Sequence, residues 1–218
     1  MERAFNLFTS IFSNQTARIV AISVNAGELK SEILRKSLHF LIALAPTMAS
    51  LNKTATVAIL MIGTLGYTLM ECLRFSGVKV PVISSITSMA SRPRDIGRFV
   101  MGPVTLGLGA LLALLLYPSP AAAIAIYALA FGDGIASLVG KFFGSLRPAF
   151  LFGKSVEGSL ACFTVVLLSA YAVSGSLNIA LIAAFTATVI EALPLEDYDN
   201  ILIPITVGLA ANFAFVLL

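Results

Sequence analysis

The residues able to do chemistry in this chain gather around one aspartate. Phe131-Gly132-Asp133-Gly134 lies inside the apolar segment Pro120 to Gly140, which is long enough to cross a bilayer at about 1.5 Å per residue and ~20 residues per span. An aspartate at mid-membrane costs roughly 2.5–3.5 kcal/mol on insertion scales, so a buried carboxylate there points to function. Glycine on both sides lets a backbone or a ligand come close, and predicts a break in the helix. About twenty residues later comes Lys154-Ser155-Val156-Glu157-Gly158-Ser159. Further carboxylates follow at Glu191 and in Asp197-Tyr198-Asp199-Asn200. Hard oxygens of this kind hold a metal such as Mg²⁺, while Lys and Arg neutralise phosphate oxygens. The pattern is that of an anion-and-metal site at a membrane surface.

The elements that carry it must be membrane helices. The chain is 58% hydrophobic and 11% charged, with a mean hydropathy of +0.97, against about 45–50% and about 25% in soluble domains. Its 218 residues leave no room for a separate soluble domain beside the apolar segments. Cys72 and Cys162 each sit in an apolar stretch, with no spacing that suggests zinc or a disulfide framework. Tryptophan is absent, so an interfacial belt would rest on tyrosine and phenylalanine. No feature points to nucleic acid.

Apolar runs fall at Ile33–Leu51, Thr54–Leu73, Phe99–Tyr117, Pro120–Val139, Gly158–Gly175, Leu177–Leu193 and Ile201–Leu218. Each is roughly one spanning helix long, so the expected fold is an all-α integral membrane protein of about seven transmembrane helices. Short, nearly uncharged links (Asn52-Lys53, Pro118-Ser119, Ser174–Ser176) alternate with longer charged ones (Arg74–Arg98, Lys141–Glu157, Pro194–Asn200). Lys79, Arg92, Arg94, Arg98, Lys141, Arg147 and Lys154 therefore share one face with Lys30, Arg35 and Lys36, and the other face has only Lys53. The positive-inside rule makes the charged face cytoplasmic and puts the C-terminus on the opposite side. Residues 1–30 read as an amphipathic helix lying in the interface, with Phe5, Phe8, Ile11 and Phe12 at helical spacing. An extra span over Phe5–Val24 is the alternative. They lack the pattern of a cleavable signal. Residues 31–218 read as a single polytopic domain. Gly132, Ala136, Gly140 and Gly144 form a small-residue row suited to close helix packing.

A proton or ion transporter would set its charges near mid-bilayer with access from both sides. Here they cluster at one end, which suits Mg²⁺ plus a polyphosphate, and phosphoryl transfer needs little more than such positioning and neutralisation. Plainer readings stand beside these. Arg35 and Lys36 could be snorkelling interfacial cations with His39 at headgroup level, or all three could meet a lipid head or a phosphate. Glu71 and Arg74, three residues apart, could simply pair at a helix end, or serve the site. Arg92, Arg94 and Arg98 are topology signals or contacts to nucleotide or anionic lipid. Glu157 could cap its helix or bind ligand. Asp199-Asn200 has the look of a helix N-cap.

FGDGIASLVGKFFG, then GKSVEGSLA, then EALPLEDYDNILIP, with RKSLH and ECLR upstream, resemble the CTP-dependent lipid-alcohol kinases. That group contains dolichol kinase, phytol kinase and the yeast-type diacylglycerol kinase, and is similar to phosphatidate cytidylyltransferases. The match runs from Arg35 to Pro204 in the family's order. The resemblance implies metal or phosphate contact at Asp133 between Gly132 and Gly134. It implies phosphate binding at Lys154, with Ser155 and Gly158 shaping the turn, and nucleotide contacts from Glu157, Asn200 and Arg98. Metal would be held by Asp133, Asp199 and Glu191. Catalysis would fall to Asp133, Lys154, Asp199 and His39, with the lipid head near Arg35, Lys36, His39, Glu71 and Arg74. Where the family has an Asp-Asp-Asn type of run, this chain has Asp197-Tyr198-Asp199-Asn200, which leaves open which aspartate takes the first role.

The expectation is therefore a membrane kinase that moves the terminal phosphate of CTP to the hydroxyl of a lipid alcohol: a polyprenol, a phytol-like alcohol or diacylglycerol. CTP and Mg²⁺ would arrive from the cytoplasm and the acceptor from the bilayer. No Walker A sequence or protein-kinase glycine loop is present. The rivals are a cytidylyltransferase making CDP-diacylglycerol and an ion-coupled transporter.

Overall fold

A computed structural model describes residues 26–78, 80, 95 and 97–218, with the backbone alone over 26–30. The expected interfacial helix, apart from its last residues, lies outside the described residues, as do Lys79, Arg92 and Arg94. The elements are α1 (Ala26–Ile42), α2 (Ala45–Phe75), α3 (Gly102–Leu116), α4 (Ala121–Tyr127), a π-helical turn (Ala128–Asp133), α5 (Gly134–Phe142), α6 (Val156–Ser174), α7 (Leu177–Glu191) and α8 (Asp199–Leu217). No strand occurs among the described residues. The protein is an all-α membrane protein.

The expected apolar runs are largely helical, except that Ile33–Leu51 is divided at Ala43-Leu44 between α1 and α2, and the uncharged links break the helices where they were read. Within α2 the helix is interrupted at Asn52 (φ −154°, ψ 98°), whose Oδ1 accepts from the Ala55 amide at 2.9 Å and starts the returning helix. α6 stops at Gly175, in the left-handed conformation that glycine tolerates (φ 66°). Among the described residues four helices are long and apolar enough to cross a membrane: Ala45–Phe75, Ala121–Phe142, Val156–Ser174 and Asp199–Leu217. Gly102–Leu116 and Leu177–Glu191 are apolar but only 15 residues each, shorter than the runs that contain them.

The helices alternate in direction. Pro46, Lys53, Leu114, Tyr117 and Ser119 meet at one end of the bundle. Arg35, Gly102, Asp199, Lys141, Lys154 and Glu191 line cavities at the other. Between these ends the core is built from small side chains. Ala180, Ala183, Ala184 and Ala187 of α7 are fully buried, as are Cys162, Val166 and Ala170 of α6. Lipid tails are as apolar as leucine, so close packing of such surfaces holds membrane helices together. Leu51, Ile62, Leu65 and Leu69 of α2 point outward, as a lipid-facing helix requires.

One expectation fails. Gly132-Asp133-Gly134 does not break its helix: α4, the π turn and α5 run on as one, with Asp133 at φ −67°, ψ −37° and Gly134 at φ −56°, ψ −54°. The glycines serve close approach instead. A Cβ at position 132 would stand 2.8 Å from Val166 Cγ2 on α6, and one at 134 would stand 2.9 Å from Phe40 Cε1 on α1. The local irregularity is the π turn that ends on Asp133, a feature frequent at functional sites.

Candidate functional site

α1 presents Glu32, Arg35, Lys36 and His39 at intervals of three and four, so they share one helix face. That face turns inward, onto α5. Lys36 Nζ donates to Asp133 Oδ2 at 2.5 Å, and His39 Nδ1 lies 3.1 Å from the same oxygen. The imidazole is off the hydrogen-bonding line, which leaves Nδ1 buried without a hydrogen bond. Ser137 Oγ, one turn along α5, donates to Asp133 Oδ1 at 3.3 Å. Lys36, His39 and Asp133 are all buried. A carboxylate shared in this way tolerates burial because its charge is answered within the cluster. The snorkelling reading of Lys36 and His39 does not hold.

Asp133 lines the inner of two neighbouring cavities, and Ser137, which donates to it, is part of the wall of the outer one. The inner cavity, about 20 Å³, is lined by Arg35, Lys36, His39 and Asp133 together with Glu196, Asp197, Asp199 and Asn200 from the start of α8. It has room for about one water-sized group. The outer cavity, about 360 Å³, is lined by Ser137, Lys141, Arg147, Lys154, Ser155, Gly158, Glu32 and Glu191. Its volume falls among ordinary small-ligand sites. Lys154 Nζ donates to the Glu191 carbonyl and lies 3.0 Å from Glu191 Oε1. Ser159 Oγ donates to Glu191 Oε2 at 3.4 Å. Glycine makes this floor possible, since a Cβ on Gly144 would collide with the Gly140 carbonyl oxygen and one on Gly158 would stand 2.8 Å from that of Ala136.

The candidate residues thus divide. Arg35, Lys36, His39, Asp133, Asp199 and Asn200 meet at the inner cavity, and Lys154, Ser155, Gly158 and Glu191 at the outer one. Arg98 lies in a third cavity of about 210 Å³ with Asp95, Phe99, Thr105 and Tyr198. Gly132 and Gly134 pack helices. Glu157 sits in the first turn of α6, where its charge favours the helix N-terminus as expected, and it lines neither main cavity. Its Oε1 accepts from the Ser145 amide and hydroxyl and from the Leu146 amide at 2.5–3.1 Å, pinning the loop before α6, whose N-cap is Ser155. Glu71 and Arg74 form a separate clamp. Glu71 takes both Nε and Nη2 of Arg74 at 2.7 and 2.6 Å and the Val100 amide at 2.8 Å, while Arg74 Nη2 also donates to the Arg98 carbonyl. The pair ties the end of α2 to the approach to α3, away from both main cavities.

The expected metal set of Asp133, Asp199 and Glu191 is not assembled. Among the described residues no three His, Cys, Asp or Glu side chains are grouped to hold an ion. Glu191 faces the outer cavity and is held by Lys154, while Asp133 is shared by Lys36 and His39. A smaller oxygen set does fit a hard cation. Asn200 is buried, its Nδ2 donates to Thr105 Oγ1 at 3.0 Å, and its Oδ1 has no partner. Thr105 spends its own proton on the Gly102 carbonyl at 3.0 Å, which fixes the amide that way round and leaves Oδ1 open. With Asp199 and Asp197 beside it on the same cavity, this suits Mg²⁺, which takes one or two carboxylates and fills its shell with water and substrate phosphate. Asp199 is the first residue of α8 and the cap is Tyr198, without a side-chain cap bond.

Sequence reading missed Glu32 and Ser137, and gave Lys141 and Arg147 to topology alone. Glu32 pairs with Arg35 at 2.6 Å and lies 3.8 Å from Lys141 Nζ, joining the two cavities. Four-residue spacing from Lys36 and from Asp133 was the available signal for the first two.

The chain is 28% identical over 187 residues to an uncharacterised protein of Methanocaldococcus jannaschii, covering 83% of this chain and 93% of that one. It is 26% identical over 167 residues to the probable phytol kinase 1, chloroplastic, of Glycine max, covering 67% and 55% of the two. Against phytol kinase 1, chloroplastic, of Arabidopsis thaliana it is 28% identical over 161 residues, covering 66% and 53%. The chain spans about half the length of these plant relatives. No family model matches it, and no solved structure does. The likeness supports kinship with lipid-alcohol kinases.

Proposed function

We propose that the protein phosphorylates a membrane lipid alcohol, taking the terminal phosphate from CTP. The observation that carries this reading is the position of Asp133, a buried carboxylate on a small cavity rich in oxygen ligands, joined through Ser137 to the wall of a cation-lined cavity of ligand size. The likeness to phytol kinases supports an isoprenoid alcohol as acceptor; the preference for CTP rests on the sequence resemblance. Residues 31–218 then act as one polytopic kinase domain.

In this reading Lys154 and Ser155 bind phosphate oxygens in the outer cavity, and the lipid hydroxyl reaches Asp133 from the bilayer. Oδ2 accepts from Lys36, with His39 beside it, so Oδ1, held among the described residues by the longer bond from Ser137, receives the hydroxyl proton. The hydroxyl oxygen bonds to the γ-phosphorus as the bond to the β–γ bridging oxygen breaks, and CDP leaves. Mg²⁺, when bound by Asp199, Asn200 and Asp197, would neutralise charge on the phosphates. Arg35 and Lys36 orient the acceptor side.

The experiment is a pair of incubations of membranes with CTP labelled at the α or the γ phosphate and a panel of phytol, polyprenol and diacylglycerol. Label from the γ position should appear in the extracted lipid, with CDP released. Label from the α position in the lipid would make the protein a cytidylyltransferase, and none in the lipid from either would overturn the transferase reading. A cysteine in the Lys141–Lys154 loop should react with an impermeant reagent only after the membrane is opened, and one at Ser119 in intact cells. The reverse pattern would put the nucleotide site on the wrong side.

A further inference from the structure

Among the described residues, Arg147 is the cation of the outer cavity that no carboxylate answers. Lys154 has Glu191 at 3.0 Å and Lys141 has Glu32 at 3.8 Å. Across the wall, Lys36 has Asp133 and Arg35 has Glu32. Among the described residues no carboxylate pairs with Arg147. Its Nη1 donates to the Gly153 carbonyl at 2.5 Å and its Nη2 to the Gly140 carbonyl at 2.7 Å, while Nε is buried and has no partner. These bonds hold the guanidinium in one orientation across the Lys141–Lys154 loop, without neutralising it. A partly buried cation with an idle donor is costly unless an anion completes it. The planar fork matches phosphate, and little side-chain entropy is left to lose on binding.

We propose that Arg147, with Lys154 across the outer cavity, binds a phosphate oxyanion, that of the donor nucleotide's polyphosphate. This deepens the kinase reading and rests on it, and it makes Arg147 a binding residue that no sequence motif marks. The cavity has the size for a nucleotide. Glu32 and Glu191 are already taken by Arg35, Lys141 and Lys154, so the uncompensated charge that an incoming anion meets belongs to Arg147.

The test uses the purified full chain in phosphatidylcholine micelles, with inorganic tripolyphosphate as the probe. Tripolyphosphate should raise the unfolding temperature of the wild type, and should shield an arginine of the Lys141–Lys154 loop from phenylglyoxal. Arg147→Gln should weaken both tripolyphosphate binding and the CTP KM at least about tenfold, the range of a lost charge-assisted bond, with kcat changed far less. Arg147→Lys should recover part of the loss. A residue that merely braces its loop would lower stability and kcat and leave tripolyphosphate affinity and KM alone, which overturns the proposal. If instead Arg147→Gln spares KM, and phosphatidylglycerol rather than tripolyphosphate shields the wild-type loop arginine from phenylglyoxal, the oxyanion belongs to a lipid headgroup and the nucleotide assignment is overturned. Should both variants fail to fold, absence of wild-type shielding by tripolyphosphate decides against the site. Wild-type tripolyphosphate binding without phosphoryl transfer from CTP would count against the kinase reading and leave this site standing.

Discussion

Asp133 and Glu71 are both buried carboxylates paired with a cation, and they do different things. Glu71 is fully enclosed, and its oxygens are filled by Arg74 from its own helix and by the Val100 amide. Nothing opens onto it from the main cavities. Asp133 is held from another helix by Lys36, with His39 beside it, keeps one oxygen on the longer bond to Ser137, and faces a cavity. The comparison teaches that burial and charge alone do not mark a site in a membrane protein. A satisfied pair fastens two segments, whereas a pair with one loosely held oxygen beside open volume is available to a substrate.

Substitutions that keep size and remove charge break the comparison at its strongest point. Asp133→Asn should leave the protein inserted and folded while phosphoryl transfer falls at least about a hundredfold, roughly 2.7 kcal/mol of barrier. Turnover of the purified variant, with its unfolding temperature as control, checks this. Next in size, Lys154→Met should weaken nucleotide binding and turnover about tenfold or more, and Lys154→Arg should restore only part, because a planar fork replaces a point charge. Full activity in Lys154→Met would return that residue to a topological role. The smallest effect on chemistry is expected at Glu71. Glu71→Gln should lower the unfolding temperature, since a buried charge-assisted bond is worth about 1.5–3 kcal/mol, yet leave kcat within about threefold. A loss of activity at Glu71 as large as that at Asp133, in a stable protein, would dissolve the distinction.

Much of the architecture was legible because it depends on local pattern. Apolar length located most of the helices, though not the division of Ile33–Leu51 between α1 and α2, Asn52-Lys53 marked a reversal, and alternating charge gathered Lys141, Lys154 and Asp199 at one end. Asp133 was legible through the cost of a carboxylate in an apolar run. Its partners were less so, because Lys36 lies 97 residues away and no periodicity links α1 to α5. The glycines around Asp133 were misread as a break, because the same residue type allows both a turn and close helix contact, and only Val166 and Phe40 decide which. Glu157 was ambiguous for a similar reason: its partners, Ser145 and Leu146, belong to a loop whose path the sequence does not encode locally. Arg147 carried no signal at all, since a cation of the charged face is also what topology demands.

The most direct measurement sets the two carboxylates side by side in one transfer assay. Membranes carrying the wild type, Asp133→Asn or Glu71→Gln, at matched amounts of folded protein, are given γ-labelled CTP and phytol, and the lipid is extracted. The account predicts label in the lipid with the wild type and with Glu71→Gln, and almost none with Asp133→Asn. Equal labelling by Asp133→Asn and the wild type would contradict it.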